Sequence, residues 1–203
     1  MFEVFIQAFV LYFVVIDPIG NTPIFMSITQ SQNGGEKYQT AIEGVVIATI
    51  VLILFSIIGQ FLLSYLNISL ESFRIAGGII LFLISIEMLF NKRQQRKEQI
   101  INHTKDKISV FPLAIPILAG PAAITSVIVI ATKYQGSIIL QSVSLLGLLI
   151  VMIITLLMFL LLAKSDKFLN KNITNIISRV IAIILAALSI QYIIDGLLIV
   201  FNK

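Results

Sequence analysis

The sequence predicts an all-α polytopic membrane protein in which six transmembrane helices form an inverted 3+3 repeat, with the first and fourth helices interrupted. Three observations predict it. Of 203 residues, 58% are hydrophobic and only 12% are charged, whereas a soluble domain carries about 25% charged residues. The apolar residues gather into segments long enough to span a hydrocarbon core about 30 Å thick. Short polar marks in the first half also recur in the second at a nearly constant displacement.

The six predicted spans are roughly 5–29, 41–65, 69–90, 110–132, 138–163 and 175–200. "SQNGGEK" separates the first two, "NKRQQRKEQIINHTKDK" the third and fourth, and "KSDKFLNKN" the fifth and sixth. The two remaining connections are very short and favour antiparallel neighbours. The organisation is one membrane domain: a first three-helix repeat over 1–90, a basic loop over 91–109 and a second repeat over 110–203. The start, "MFEVFIQAFV", has no basic n-region, and no small-residue cleavage site follows it, so the first span is expected to stay.

Lys and Arg counts set the expected orientation. The loops after spans one, three and five hold Lys37, then Lys92, Arg93, Arg96, Lys97, Lys105 and Lys107, then Lys164, Lys167 and Lys171. The opposite side holds Lys133 and Lys203. This bias places both termini outside and the long basic loop in the cytoplasm of a cell whose inner (plasma) membrane holds the chain. The basic residues read first as this topology signal, with anionic lipid headgroups as the alternative partner. Because they lie between apolar spans, the net charge of +4 does not point to nucleic acid.

The repeat rests on three marks. "DPIGNT" at 17–22 aligns with "GPAAIT" at 120–125, Arg74 with Arg179, and "SIE" at 85–87 with "SIQ" at 189–191. With an odd number of spans per repeat, the second triplet enters from the opposite side of the membrane. That is the architecture in which one half rocks against the other to give alternating access.

Two spans are broken. Pro18 and Pro23 remove backbone donors and clash with the preceding turn, and the residue before each is pushed out of the α region. "AIPILAGPAAIT", 114–125, repeats the device with Pro116, Gly120 and Pro121. In lipid the freed backbone groups must find partners in protein or water, so both breaks are expected to face a cavity near the bilayer midplane. Asp17, Thr22 and Gly120 each precede a proline and are expected N-caps. The open N–H groups and the helix dipole suit a carboxylate. Gly20, Gly120, Ala122 and Ala123 leave room for backbone to approach a small ligand, while Asp17, Asn21 and Thr22 suit an ammonium group. The expected substrate-binding residues are Asp17, Pro18, Gly20, Asn21, Thr22, Gly120, Pro121, Ala122 and Thr125, around a small zwitterion. A mid-span carboxylate costs about 2.5–3.5 kcal/mol to insert, which favours a site at Asp17 over a simple cap.

Other polar residues have simpler readings. Glu71 and Arg74 pair on one helix face, Arg179 snorkels, and Gly77 and Gly78 permit close packing. Glu87 lies near the cytoplasmic end of its span and Asp195 near the outer end of the last. Gln191 is deeper and suited to bonding another helix. The chain has no cysteine, and its single histidine, His103, reads as a solvated loop residue, so no metal or cofactor is expected beyond a coupling ion. No Walker, serine-elbow or metal motif occurs, and an aspartyl protease needs two facing carboxylates. A transporter is therefore expected rather than an enzyme or a primary pump.

"DPIGNTPIF", "RIAGGIILFLISIEML", "PLAIPILAGPAAITSVIV" and "AALSIQYIIDGL" together resemble the MarC family of six-span bacterial and archaeal membrane proteins, over essentially the whole chain. That family is also called the neutral amino acid transporter family. The resemblance implies transport of small neutral amino acids coupled to an ion gradient, the proton or sodium. Family members often have glycine after the AGP proline, where this chain has Ala122.

Overall fold

The computed structural model describes residues 1–93, 95–96, 113–164 and 171–201. His103, Lys97, Lys105, Lys107, Lys167, Lys203 and most of the basic segment 91–109 lie outside the described residues. Every element among the described residues is helical. In chain order they are α1 (Phe2–Ile16), α2 (Thr22–Ile28), α3 (Gly34–Tyr65), α4 (Leu70–Leu89), a single π turn (Leu113–Leu118), α5 (Pro121–Lys133), α6 (Ile138–Lys164) and α7 (Lys171–Phe201).

Four of these, α3, α4, α6 and the Ile176–Phe201 part of α7, are long and apolar enough to cross a membrane. They coincide with the second, third, fifth and sixth predicted spans. α3 starts earlier than expected because Asn33 and Glu36 form a capping box, each side chain bonded to the other's backbone N–H at 2.9–3.0 Å. Two otherwise exposed N–H groups are thereby satisfied, and the polar stretch 34–40 is drawn into the helix.

The first and fourth predicted spans are each split. α1 and α2 are separated at 17–21, and the π turn is separated from α5 at 119–120. Inside the π turn Ile115 is extended (φ −131°, ψ 123°), and the peptide joining it to Pro116 is cis. These split segments are the most buried parts of the molecule. Leu11, Tyr12, Ile16, Ile24, Phe25, Leu113, Leu118 and Ile130 are all within 1% of complete burial. The long helices surround them and turn Ile50, Phe61, Leu83, Ile153 and Ile183 outward, as expected of a molecule whose solvent is hydrocarbon.

Helix contacts among the described residues follow a pattern. α4 packs on α7, α1 on α6, α3 on both α5 and α6, α4 on α5, and α1 on both α5 and α7. Small residues allow these approaches. A Cβ on Gly78 of α4 would lie 2.6 Å from Ile193 Cγ1 and 2.8 Å from the Ser189 carbonyl oxygen of α7. Backbone cannot rotate away as a side chain can. Gly78→Ala is therefore expected to push α4 off α7 at a cost of about 1–3 kcal/mol, read as a lowered Tm in detergent. An unchanged Tm would show that the α4–α7 seam yields freely. Gln191 bonds Asp195 of its own helix at 2.7 Å rather than another helix, because both side chains lie on the exposed face of α7.

Candidate binding site at the two helix breaks

The first break is a compact turn with satisfied backbone groups. Asp17 ends α1 in the left-handed conformation (φ 55°, ψ 65°), one that non-glycine residues adopt uncommonly. Its Oδ1 accepts the Gly20 N–H at 2.9 Å. Asn21 is fully buried and donates from Nδ2 to the Ile16 carbonyl at 2.6 Å, so the last turn of α1 is satisfied from beyond its own end. The Thr22 hydroxyl donates to the Ile19 carbonyl at 2.7 Å.

Two of the expected caps are corrected here. Asp17 is the C-cap of α1, and Asn21, not Thr22, is the N-cap of α2. The reason is local: Pro18 opens a turn instead of a helix, which displaces the next helix start by one turn. At the second break Gly120 is the N-cap of α5 (φ −83°, ψ 175°), with Pro121 in its first turn. Any residue can adopt that backbone, but space at Gly120 is short. A Cβ would lie 2.5 Å from the Pro116 carbonyl oxygen. Gly120 has no side chain to cap the first-turn N–H groups of α5, and no side-chain cap is found among the described residues.

The two breaks border two cavities. A small one of about 20 Å³ is lined by Asp17, Gly20, Ile24, Met88, Asn91, Arg93 and Ser178. That is room for roughly one water. A larger one of about 260 Å³ lies beside it. Gly120–Ala123 line one part of it, Val15, Ile80, Leu83 and Ile84 another, and Glu87, Arg93 and Arg96 its charged part. Of the nine expected site residues, Asp17 and Gly20 line the first cavity and Gly120, Pro121 and Ala122 the second. Pro18, Asn21, Thr22 and Thr125 line neither. Thr125 instead faces α4, where its Cγ2 would lie 2.9 Å from a Cβ on Gly77.

Arg93 is the residue common to both cavities. Sequence reasoning counted it with the basic loop, yet it is only 8% exposed. It donates from Nη2 to the Val15 carbonyl at 2.7 Å, in the last turn of α1, and from Nη1 to Met88 Sδ at 3.0 Å. Neither partner is charged. Burial pushes the guanidinium below its ordinary pKa, and the Asp17 and Glu87 carboxylates oppose that shift. Asn91, two residues before it, takes φ 57° just past the end of α4, a left-handed conformation that commonly ends a helix. Arg96 pairs with Glu87 Oε1 at 2.8 Å, leaving Glu87 Oε2 buried without a hydrogen-bond partner. Among the described residues there is no group of three His, Cys, Asp or Glu side chains placed to hold a metal.

This arrangement brings a buried cation with neutral hydrogen-bond partners, and a helix N-terminus whose cap residue is a glycine, onto the same cavity. Both favour an anionic group.

A family model described as MarC family integral membrane protein matches residues 2–201. Similar curated proteins include a UPF0056 membrane protein of Archaeoglobus fulgidus, 32% identical over 95% of this chain and 92% of its own length. Another is the UPF0056 membrane protein YhcE of Escherichia coli K12, 31% identical over 97% of this chain and 93% of its own length. No solved structure matches the chain significantly. The chain thus belongs to the MarC family of multi-pass integral membrane proteins.

Proposed function

We propose that this protein is a secondary transporter of small neutral amino acids, and not an enzyme, working by alternating access between two inverted three-span repeats. The observation that carries the reading is the pair of broken helices bordering adjoining cavities that share the buried Arg93. A channel-like anchor has no use for two breaks converging on one cation. The larger cavity, about 260 Å³, lies just below the usual range for small-molecule sites of about 300–1,000 Å³, which suits a small solute.

The contact pattern supports the repeat. Exchanging the first span with the fourth, the second with the fifth and the third with the sixth turns α1–α6 into α3–α5 and α4–α5 into α1–α7. It maps α4–α7, α1–α5 and α3–α6 onto themselves. The α5–α6 contact alone has no counterpart of similar extent among the described residues. Close-packed glycines obey the same exchange: Gly44 of the second span abuts Leu113 of the fourth, and Gly147 of the fifth abuts Ala8 and Phe9 of the first. With the basic side inward, both termini lie outside the plasma membrane.

A second reading, a transporter or flippase for another small metabolite or lipid carrier, is favoured by the cavity wall. Ile80 and Leu83 line the cavity yet are 38% and 56% exposed along α4, so the cavity adjoins a lipid-facing surface. The test is uptake of radiolabelled glycine, alanine and serine into proteoliposomes under imposed proton and sodium gradients. Gradient-driven accumulation of these amino acids is expected. No accumulation of any of them, with lipid scrambling instead, would replace the first reading by the second.

A further inference from the structure

We propose that the cationic end of the ligand is received by Glu87, not by Asp17, and that Glu87 and Arg93 together make the larger cavity selective for a zwitterion. The proposal rests on the transport reading and assigns the charged contacts within it.

Three observations carry it. First, Asp17 is occupied. Its Oδ1 holds the Gly20 N–H, the residue is 6% exposed, and the cavity it lines is about 20 Å³. A space for roughly one water does not admit an amino acid. Second, Glu87 lines the larger cavity with one oxygen uncommitted. Oε1 is bonded to Arg96, whereas Oε2 is buried and has no partner. A buried carboxylate oxygen left unpaired costs free energy, and an incoming ammonium group would satisfy it. Third, the rest of the cavity's charge suits an anion: Arg93, with no carboxylate in hydrogen-bonding contact, and the first turn of α5 at Ala122 and Ala123, whose cap residue is a glycine. The wall of one cavity of about 260 Å³ thus carries a carboxylate with an unpaired oxygen and a cation whose hydrogen-bond partners are both neutral. A ligand with only one charge would leave one of them unanswered.

The experiment measures binding of L-alanine and of propionate, the same carboxylate without the amine, to the full-length protein in nanodiscs by isothermal titration. Wild type is expected to prefer alanine at least tenfold. In Glu87→Gln that preference is expected to fall to about twofold or less. Arg96→Gln breaks the same ion pair but keeps the Glu87 charge, and is expected to retain the preference. Arg93→Gln is expected to weaken both ligands together. A Glu87→Gln protein that still prefers alanine tenfold would overturn this assignment and leave the transport reading intact. Loss of preference in Arg96→Gln as well as Glu87→Gln would also overturn it, because the ion pair rather than the free oxygen would then be responsible. If wild type binds neither probe, the amino acid reading fails and this assignment falls with it.

Discussion

Replacing Arg93 by glutamine is expected to lower amino acid uptake about 10- to 100-fold without unfolding the protein. The magnitude follows from one charge-assisted hydrogen bond to a ligand carboxylate, worth about 1.5–3 kcal/mol, at a factor of ten per 1.4 kcal/mol. The fold should survive for two reasons. Glutamine keeps an N–H donor for the Val15 carbonyl, which Arg93 now serves at 2.7 Å. Removing the guanidinium also ends the cost of holding a charge in a site only 8% exposed. Arg93→Lys keeps the charge but loses the planar fork, so intermediate uptake is expected. The measurement is initial uptake rate in proteoliposomes, paired with Tm in detergent. Normal uptake by Arg93→Gln would remove the cation from the mechanism and leave it a structural tether between α4 and α1.

The fold was legible in the sequence wherever hydrophobic length decides it. α4 and α6 lie within one or two residues of their predicted spans because nothing competes with twenty or more apolar residues in lipid. The breaks were legible because proline acts through its own covalent structure, at Pro18 and Pro121 alike. Caps were harder to read. Whether Asp17 starts or ends a helix depends on its left-handed backbone, which asparagine and aspartate tolerate but do not announce. Arg93 was the main omission. A loop count of basic residues treats every Lys and Arg as equivalent, and in "FNKRQQRK" nothing but Asn91 distinguishes one from the next. Asparagine just past an apolar helix is a signal for a left-handed stop. Read that way, it would have directed attention to the arginine two residues later. Position near the cytoplasmic end of its span said nothing of the environment of Glu87, whose Oε2 is buried without a partner and whose residue lines the larger cavity.

Asp17→Asn is expected to keep the protein folded and to lower uptake at least tenfold. Asparagine offers the same Oδ1 acceptor to the Gly20 N–H, now 2.9 Å away, and it is among the residues that best tolerate the left-handed backbone found at this position. Turn and cap should therefore persist. What disappears is the negative charge near Arg93 that opposes the lowering of its pKa by burial. On this proposal Asp17 is a positioning residue, expected to act on the ligand only through the cation at the junction of the two cavities. Asp17→Ala removes acceptor and charge together, and should lower Tm as well as uptake. The decisive comparison is the double variant Asp17→Asn with Arg93→Gln. Two groups that act through one pair are not additive, so the double variant should transport no worse than Arg93→Gln alone. If the two defects multiply instead, Asp17 serves transport independently of Arg93, and a direct contact with the substrate or a coupling proton would take the place of the charge-positioning role argued from the buried turn.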